Sequence, residues 1–89
     1  YSFNMTIGTS LTQLSGFTAS EVLISNKSGQ DLYLYDSNSF LDDNRFLLGN
    51  SESMVLRGIT NTNEVSAKTG ASSGTVYFRS AYFSNLNQF

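Results

Sequence analysis

The sequence predicts an all-β domain, a small antiparallel β-sandwich or barrel of six to seven short strands. Three observations carry that expectation. Apolar residues alternate with polar ones in short runs, at the two-residue period of a half-buried strand. Clusters of Gly, Asn and Ser punctuate those runs about every 8–12 residues. No segment sustains a 3.6-residue period, and the chain contains no Pro.

The opening run, Tyr1 to Ile7, places Tyr1, Phe3, Met5 and Ile7 on one face against Ser2, Asn4 and Thr6. Four large apolar side chains would not be left frayed in water, so the run has two readings. It pairs within its own sheet, or it is an arm that adds to a neighbouring chain. On the arm reading, deleting Tyr1 to Ile7 leaves the fold intact. Residues 8–20 are rich in Thr and Ser, with isolated Leu11, Leu14 and Phe17, and read as an irregular connector. The expected division is therefore an N-terminal strand or arm with its connector over 1–20, and a single β-sandwich domain over 21–89.

Glu21 to Ser25 directs Val22 and Ile24 to one side. A turn at Asn26-Lys27-Ser28-Gly29 leads to Asp31–Asp36, with Leu32 and Leu34 facing one way and Tyr33 and Tyr35 the other. The pair reads as a hairpin. Ser37 to Asn44 is a polar loop, Arg45 to Leu48 a short strand, and Ser53 to Arg57 a strand with Met54 and Leu56 inward. Gly58 to Asn63 is a connector that buries Ile59. Glu64 to Phe83 reads as a second hairpin around the Gly70–Gly74 loop. Its second strand, Thr75 to Phe83, is the longest and most aromatic run. Val76, Phe78 and Tyr82 share one face and Tyr77, Arg79 and Phe83 the other, as expected of a central strand covered on both sides. Ser84 to Phe89 is a short tail.

Composition excludes more than it assigns. Eighty-nine residues make one domain, and a chain this short is marginal unless its core is good or a partner adds burial. There is no Cys to staple it. Charged residues are only 13% of the chain and the net charge is −2. The five basic residues, Lys27, Arg45, Arg57, Lys68 and Arg79, are dispersed, which argues against a nucleic-acid partner. No apolar run approaches the ~20 residues of a membrane helix, and no signal-peptide pattern is visible. About a third of the residues are Ser, Thr or Asn, so hydroxyls and amides must supply the solubility that charge does not.

The residue content also closes most chemistry. Without His or Cys, a Ser-His-Asp centre and a zinc site are both excluded. Ser66 and Lys68 share a strand face, but a chain this rich in hydroxyls produces such neighbours by chance. Asp36, Asn38, Asp42, Asp43 and Asn44 gather oxygen ligands in one loop, yet the EF-hand pattern fails, with Leu47 where the bidentate Glu belongs. An ordinary solvated loop is the simpler reading. Adjacent Asp42 and Asp43 do not make a glycosidase pair, and Gly70 and Gly74 do not precede a helix as a phosphate loop would. The expectation is a protein that is not an enzyme, with no catalytic residue, no cofactor and no metal. Contact residues are then sought among the aromatics and the terminal strand: Tyr1, Phe3, Met5, Ile7, Tyr33, Tyr35 and Tyr77.

The stretch from Val22 to Ser84 resembles small virion proteins of tailed bacteriophages. It carries a strand ending in an Asn/Ser-Gly turn (Val22 to Gly29) and a strand with Leu and Tyr (Leu32 to Tyr35). A Leu-Gly turn follows (Phe46 to Asn50), with the apolar strand Met54-Val55-Leu56, a Gly-Ile-Thr-Asn-Thr-Asn connector from Gly58, and a closing Ser-Gly-Thr-Val-Tyr-Phe run from Ser73. The resemblance implies a non-enzymatic structural protein of the virion that docks on and stabilises a capsid: a decoration or cement protein. Such proteins are small, β-rich and commonly trimeric. The implied partners are the major capsid protein or another virion protein and further copies of the chain, with no nucleic acid and no membrane. The alternative is a carbohydrate-binding or adhesin-type β-sandwich module that uses exposed Tyr with Asn and Asp on its loops.

Overall fold

A computed structural model describes residues 1–35 and 46–82. Eight strands lie within them: β1 (Ser2–Ile7), β2 (Thr12–Gln13), β3 (Glu21–Lys27), β4 (Leu32–Tyr35), β5 (Phe46–Leu48), β6 (Ser53–Arg57), β7 (Ser66–Thr69) and β8 (Gly74–Ala81). Among the described residues a 3-10 turn spans Thr62–Glu64. The strands form two four-stranded sheets, a front sheet in the order β1-β8-β3-β6 and a back sheet in the order β2-β7-β4-β5. Every described pairing is antiparallel. The chain is thus an all-β sandwich, as its periodicity predicts. Its strand order is that of a jelly roll, in which successive strands change sheets. Among the described elements only β4 and β5 are consecutive and share a sheet.

That topology corrects both expected hairpins. β3 pairs with β6 and β8, while β4 pairs with β5 and β7. β7 pairs with β2 and β4, while β8 pairs with β1 and β3. The turns at 28–31 and 70–73 are therefore arches that carry the chain across the core. The physical reason is visible at the arch bases. Asn26 occupies an inward position after Val22 and Ile24, is fully buried, and bonds the carbonyls of Gln30, Leu48 and Gly49. Gln30 then clamps the second arch, since its Oε1 accepts from Ala71 N and Ser72 N. Gly74 passes so close to the first arch that a Cβ there would lie 2.6 Å from Ser28 Cα.

The opening strand belongs to this sandwich. β1 pairs with β8 from Ser2 opposite Arg79 to Ile7 opposite Gly74, so within the described structure it is a sheet strand rather than a free arm. The connector after it contributes one further strand, β2, which the sequence did not suggest. Thr18 and Asn61 add an isolated bridge. β8 is central, as expected, but it is not covered on both sides among the described residues. Tyr77 and Arg79 on its outer face are exposed, Tyr82 lies past its end and is exposed, and Phe83 lies outside the described residues.

The core is the layer between the sheets. Phe78 and Val76 from β8, Val22 and Ile24 from β3, and Ile7 from β1 meet Leu32 and Leu34 from β4, Leu48 from β5 and Ala67 from β7. Leu14 and Val65 join from the connectors, and Phe3, Met5, Met54, Leu56 and Ile59 pack around this cluster. Those on strands are the inward members of alternating runs, so local pattern and burial agree there.

Candidate docking face

The outer face of the front sheet follows from the same alternation. Where Val76, Phe78, Val22 and Ile24 turn inward, Tyr77, Arg79, Leu23 and Ser25 must turn outward. The register sets them in rows across the sheet. Ser2, Arg79, Leu23 and Val55 form one row, and Asn4, Tyr77, Ser25 and Ser53 the next. Leu23 is 38% exposed, Val55 39% and Tyr77 49%. Adjacent strands lie about 5 Å apart, so these side chains make one apolar strip with Arg79 set into it.

Between Tyr77 and Arg79 the surface sinks. A shallow depression of about 300 Å³ is lined by Ser2, Asn4, Leu23, Ser25, Tyr77 and Arg79, with Phe3 and Phe78 contributing beneath. The small side chains of Ser2, Asn4 and Ser25 leave the space that the two long ones enclose. No acidic group lines it. Farther along the face, Glu21 is held by Arg57 at 2.9 Å. Arg79 has no ion-pair partner among the described residues, so the strip presents a positive charge on an otherwise acidic chain.

The seven contact residues expected from the sequence do not converge. Tyr77 lies in this face. Tyr1 is 70% exposed, with its ring 4.3 Å from that of Phe17. Phe3 points inward, its ring 4.9 Å from both Phe17 and Phe78. Met5 is half-buried and its sulfur accepts from Ser15 Oγ at 3.8 Å. Ile7 is fully buried in the core and cannot serve as a contact residue. Tyr33 and Tyr35 project from the opposite side of the molecule, on the outer face of the back sheet, as expected. Tyr35 is nonetheless buried, with the Lys68 ammonium 5.7 Å from its ring centre, and it too is withdrawn as a contact residue. Tyr33 is half-buried opposite Leu47 and Lys68.

The sequence reading set Arg79 on the same face as Tyr77 without taking it as a contact residue, and it missed Leu23 and Val55. The signal was present: Val22-Leu23-Ile24 and Met54-Val55-Leu56 are apolar triplets. In a strand whose first and third residues point inward, the middle residue must point out. The Asp/Asn loop at 36–44 and the tail at 84–89 lie outside the described residues. Among the described residues no group of three or more acidic, His or Cys side chains gathers as a metal site would require, and no helix is long and apolar enough to cross a membrane. Comparison with known proteins gives no match to any family model, curated protein or solved structure.

Proposed function

We propose that this chain is a structural module of a bacteriophage virion, a decoration protein without catalytic activity that docks on an assembled shell through the outer face of β1-β8-β3-β6. The observation that carries the reading is the contiguous exposed strip of Leu23, Val55 and Tyr77 around Arg79. Apolar and aromatic side chains with a single Arg are the usual composition of a contact-patch centre. At about 25 cal/mol per Å2, each 100 Å2 of the strip covered contributes about 2.5 kcal/mol before ordering costs. The complementary partner surface is apolar and carries a carboxylate for Arg79. The jelly-roll strand order adds an analogy at the level of fold, since capsid and lectin domains both use it.

The test is co-sedimentation with purified particles that lack the protein. The wild-type chain should bind saturably. Leu23→Ser combined with Tyr77→Ala should lose at least tenfold in affinity (about 1.4 kcal/mol) while keeping a native melting transition. A wild-type chain that stays in the supernatant, or a double variant that binds equally well, would falsify this reading. The depression beside Tyr77 favours one alternative, a carbohydrate-binding module: an aromatic face flanked by Ser2, Asn4 and Ser25 suits a sugar ring. That reading predicts glycan-array signals abolished by Tyr77→Ala alone.

A further inference from the structure

The sheet edges differ in how they are guarded. In the back sheet β2 has two residues and the described part of β5 three, short lengths for templating another strand. In the front sheet, β6 ends on the charged Arg57, which is ion-paired to Glu21. β1 has no such protection. Its six residues include no charge and no Pro, and its pairing with β8 runs unbroken, without a bulge.

The hydrogen-bond phase of β1 shows which groups it offers. Tyr1 and Ser80 exchange two backbone bonds, the Tyr1 nitrogen donating to Ser80 O at 2.9 Å and Ser80 N donating to Tyr1 O at 2.8 Å. In an antiparallel pair such bonded residues alternate, so Phe3, Met5 and Ile7 also face β8. Ser2, Asn4 and Thr6 therefore turn their N–H and C=O groups away from the sheet. All three residues are exposed. The ring of Phe17 packs against those of Tyr1 and Phe3, on the face of the strand opposite Ser2, Asn4 and Thr6.

The sequence of this edge says what would cover it. A second β1, antiparallel and centred on Asn4, sets Ser2 opposite Thr6 of the second copy and Asn4 opposite Asn4. The same register sets Phe3 opposite Met5 and Tyr1 opposite Ile7. Polar residues meet polar ones on the outer face, and apolar residues meet apolar ones on the core face. Each outward pair exchanges two backbone bonds, and this register gives the fullest overlap the strand allows. We infer that the chain pairs with a second copy of itself, β1 to β1 across a two-fold axis at Asn4, joining two front sheets into one continuous eight-stranded sheet. The pairing rests on the strand edge and not on the docking face, and it builds a dimer where the virion resemblance implies a trimer.

Cross-linking tests it directly, because the chain contains no Cys and any introduced thiol reports alone. Asn4→Cys should oxidise rapidly to a covalent dimer, since opposed residues across a strand pair stand within disulfide reach. Thr6→Cys alone should not, because its copies lie four residues apart along the pair. A mixture of Ser2→Cys and Thr6→Cys should form the heterodimer. Light scattering of the wild-type chain should show a dilution-dependent dimer of twice 9.8 kDa. Asn4→Lys, which sets like charges face to face, should weaken it roughly tenfold. Leu23→Ser with Tyr77→Ala should leave it unchanged. A wild-type monomer at every concentration, a trimer, or equal cross-linking by Asn4→Cys and Thr6→Cys each overturns the proposal.

Discussion

Asn26 carries the most polar work of any single side chain in the core. It is fully buried, its Nδ2 donates to Gln30 O at 2.8 Å, Leu48 O at 2.9 Å and Gly49 O at 3.1 Å, and its Oδ1 accepts from Ser28 N at 3.0 Å and Ser28 Oγ at 2.6 Å. Its backbone N donates to Glu52 O and its carbonyl accepts from Ser51 N. One residue thus ties the β3–β4 arch to the β5–β6 turn. An inward Asn among Val and Ile is costly unless bonded, and here it is bonded on every side. Asn26→Ala strands several carbonyls and should cost about 2–4 kcal/mol. That is a large share of the roughly 5–13 kcal/mol expected for a domain of this length. Denaturant unfolding followed by circular dichroism measures it. A loss below about 0.5 kcal/mol would show that water replaces the amide and that the arch is held by packing instead.

At the scale of the element, the 3-10 turn at Thr62–Glu64 shows local chemistry that can be titrated. Asn61 Oδ1 accepts from Asn63 N at 3.0 Å, and the Glu64 carboxylate accepts from Asn61 N at 2.8 Å, Thr60 N at 2.8 Å and Thr60 Oγ1 at 2.5 Å. This is a capping box. The bonds from Thr60, hydroxyl first and then backbone, hold the Glu64 carboxyl below its ordinary value of 4.5. A lowered pKa means stability that is present above the ordinary value and lost as pH falls through the lowered one. Glu64→Gln should therefore melt lower than the wild type at pH 7, and the gap should narrow as the pH falls below 4.5 and through the lowered value. A gap that does not change with pH would assign the effect to packing. This turn was only a connector in the sequence, because three residues carry no period. Faces were legible along the strands, from Val22 and Ile24 inward to Tyr77 outward, since alternation is a local property, but not at their ends, where Asn26 read as a turn and Tyr82 as inward. Pairing was not. A hairpin and an arch share the same signature, two alternating runs around a Gly/Ser turn. What separates them is long-range contact, such as Gln30 on Ala71 and Ser72 or Gly74 against Ser28, which no short window contains. The candidate face fared likewise: Tyr77 could be found by residue type, but Leu23 and Val55 meet only through the β3–β6 register.

For the whole molecule the decisive contact joins the two ends of the described chain, β1 lying along β8 at the edge of the front sheet. The sandwich closes only when this first strand arrives. It brings Ile7 into the core and Phe3 and Met5 against it, and it satisfies one side of the long β8 ladder. Fully burying such a side chain contributes about 1.5–3 kcal/mol, and with Phe3 and Met5 half-buried beside the fully buried Ile7 the three together supply a large share of the stability of the domain. Deleting residues 1–7 should therefore abolish cooperative thermal unfolding, not merely remove an appendage. It should also leave a β8 edge that aggregates. Single changes on the outward side of the same strand, such as Asn4→Lys, should leave the melting transition close to that of the wild type. The contrast separates the two roles that β1 could have. If the truncated chain instead melts cooperatively near the wild-type temperature, β1 contributes little to this sandwich. It is then better understood as a segment whose apolar face belongs to a neighbouring subunit.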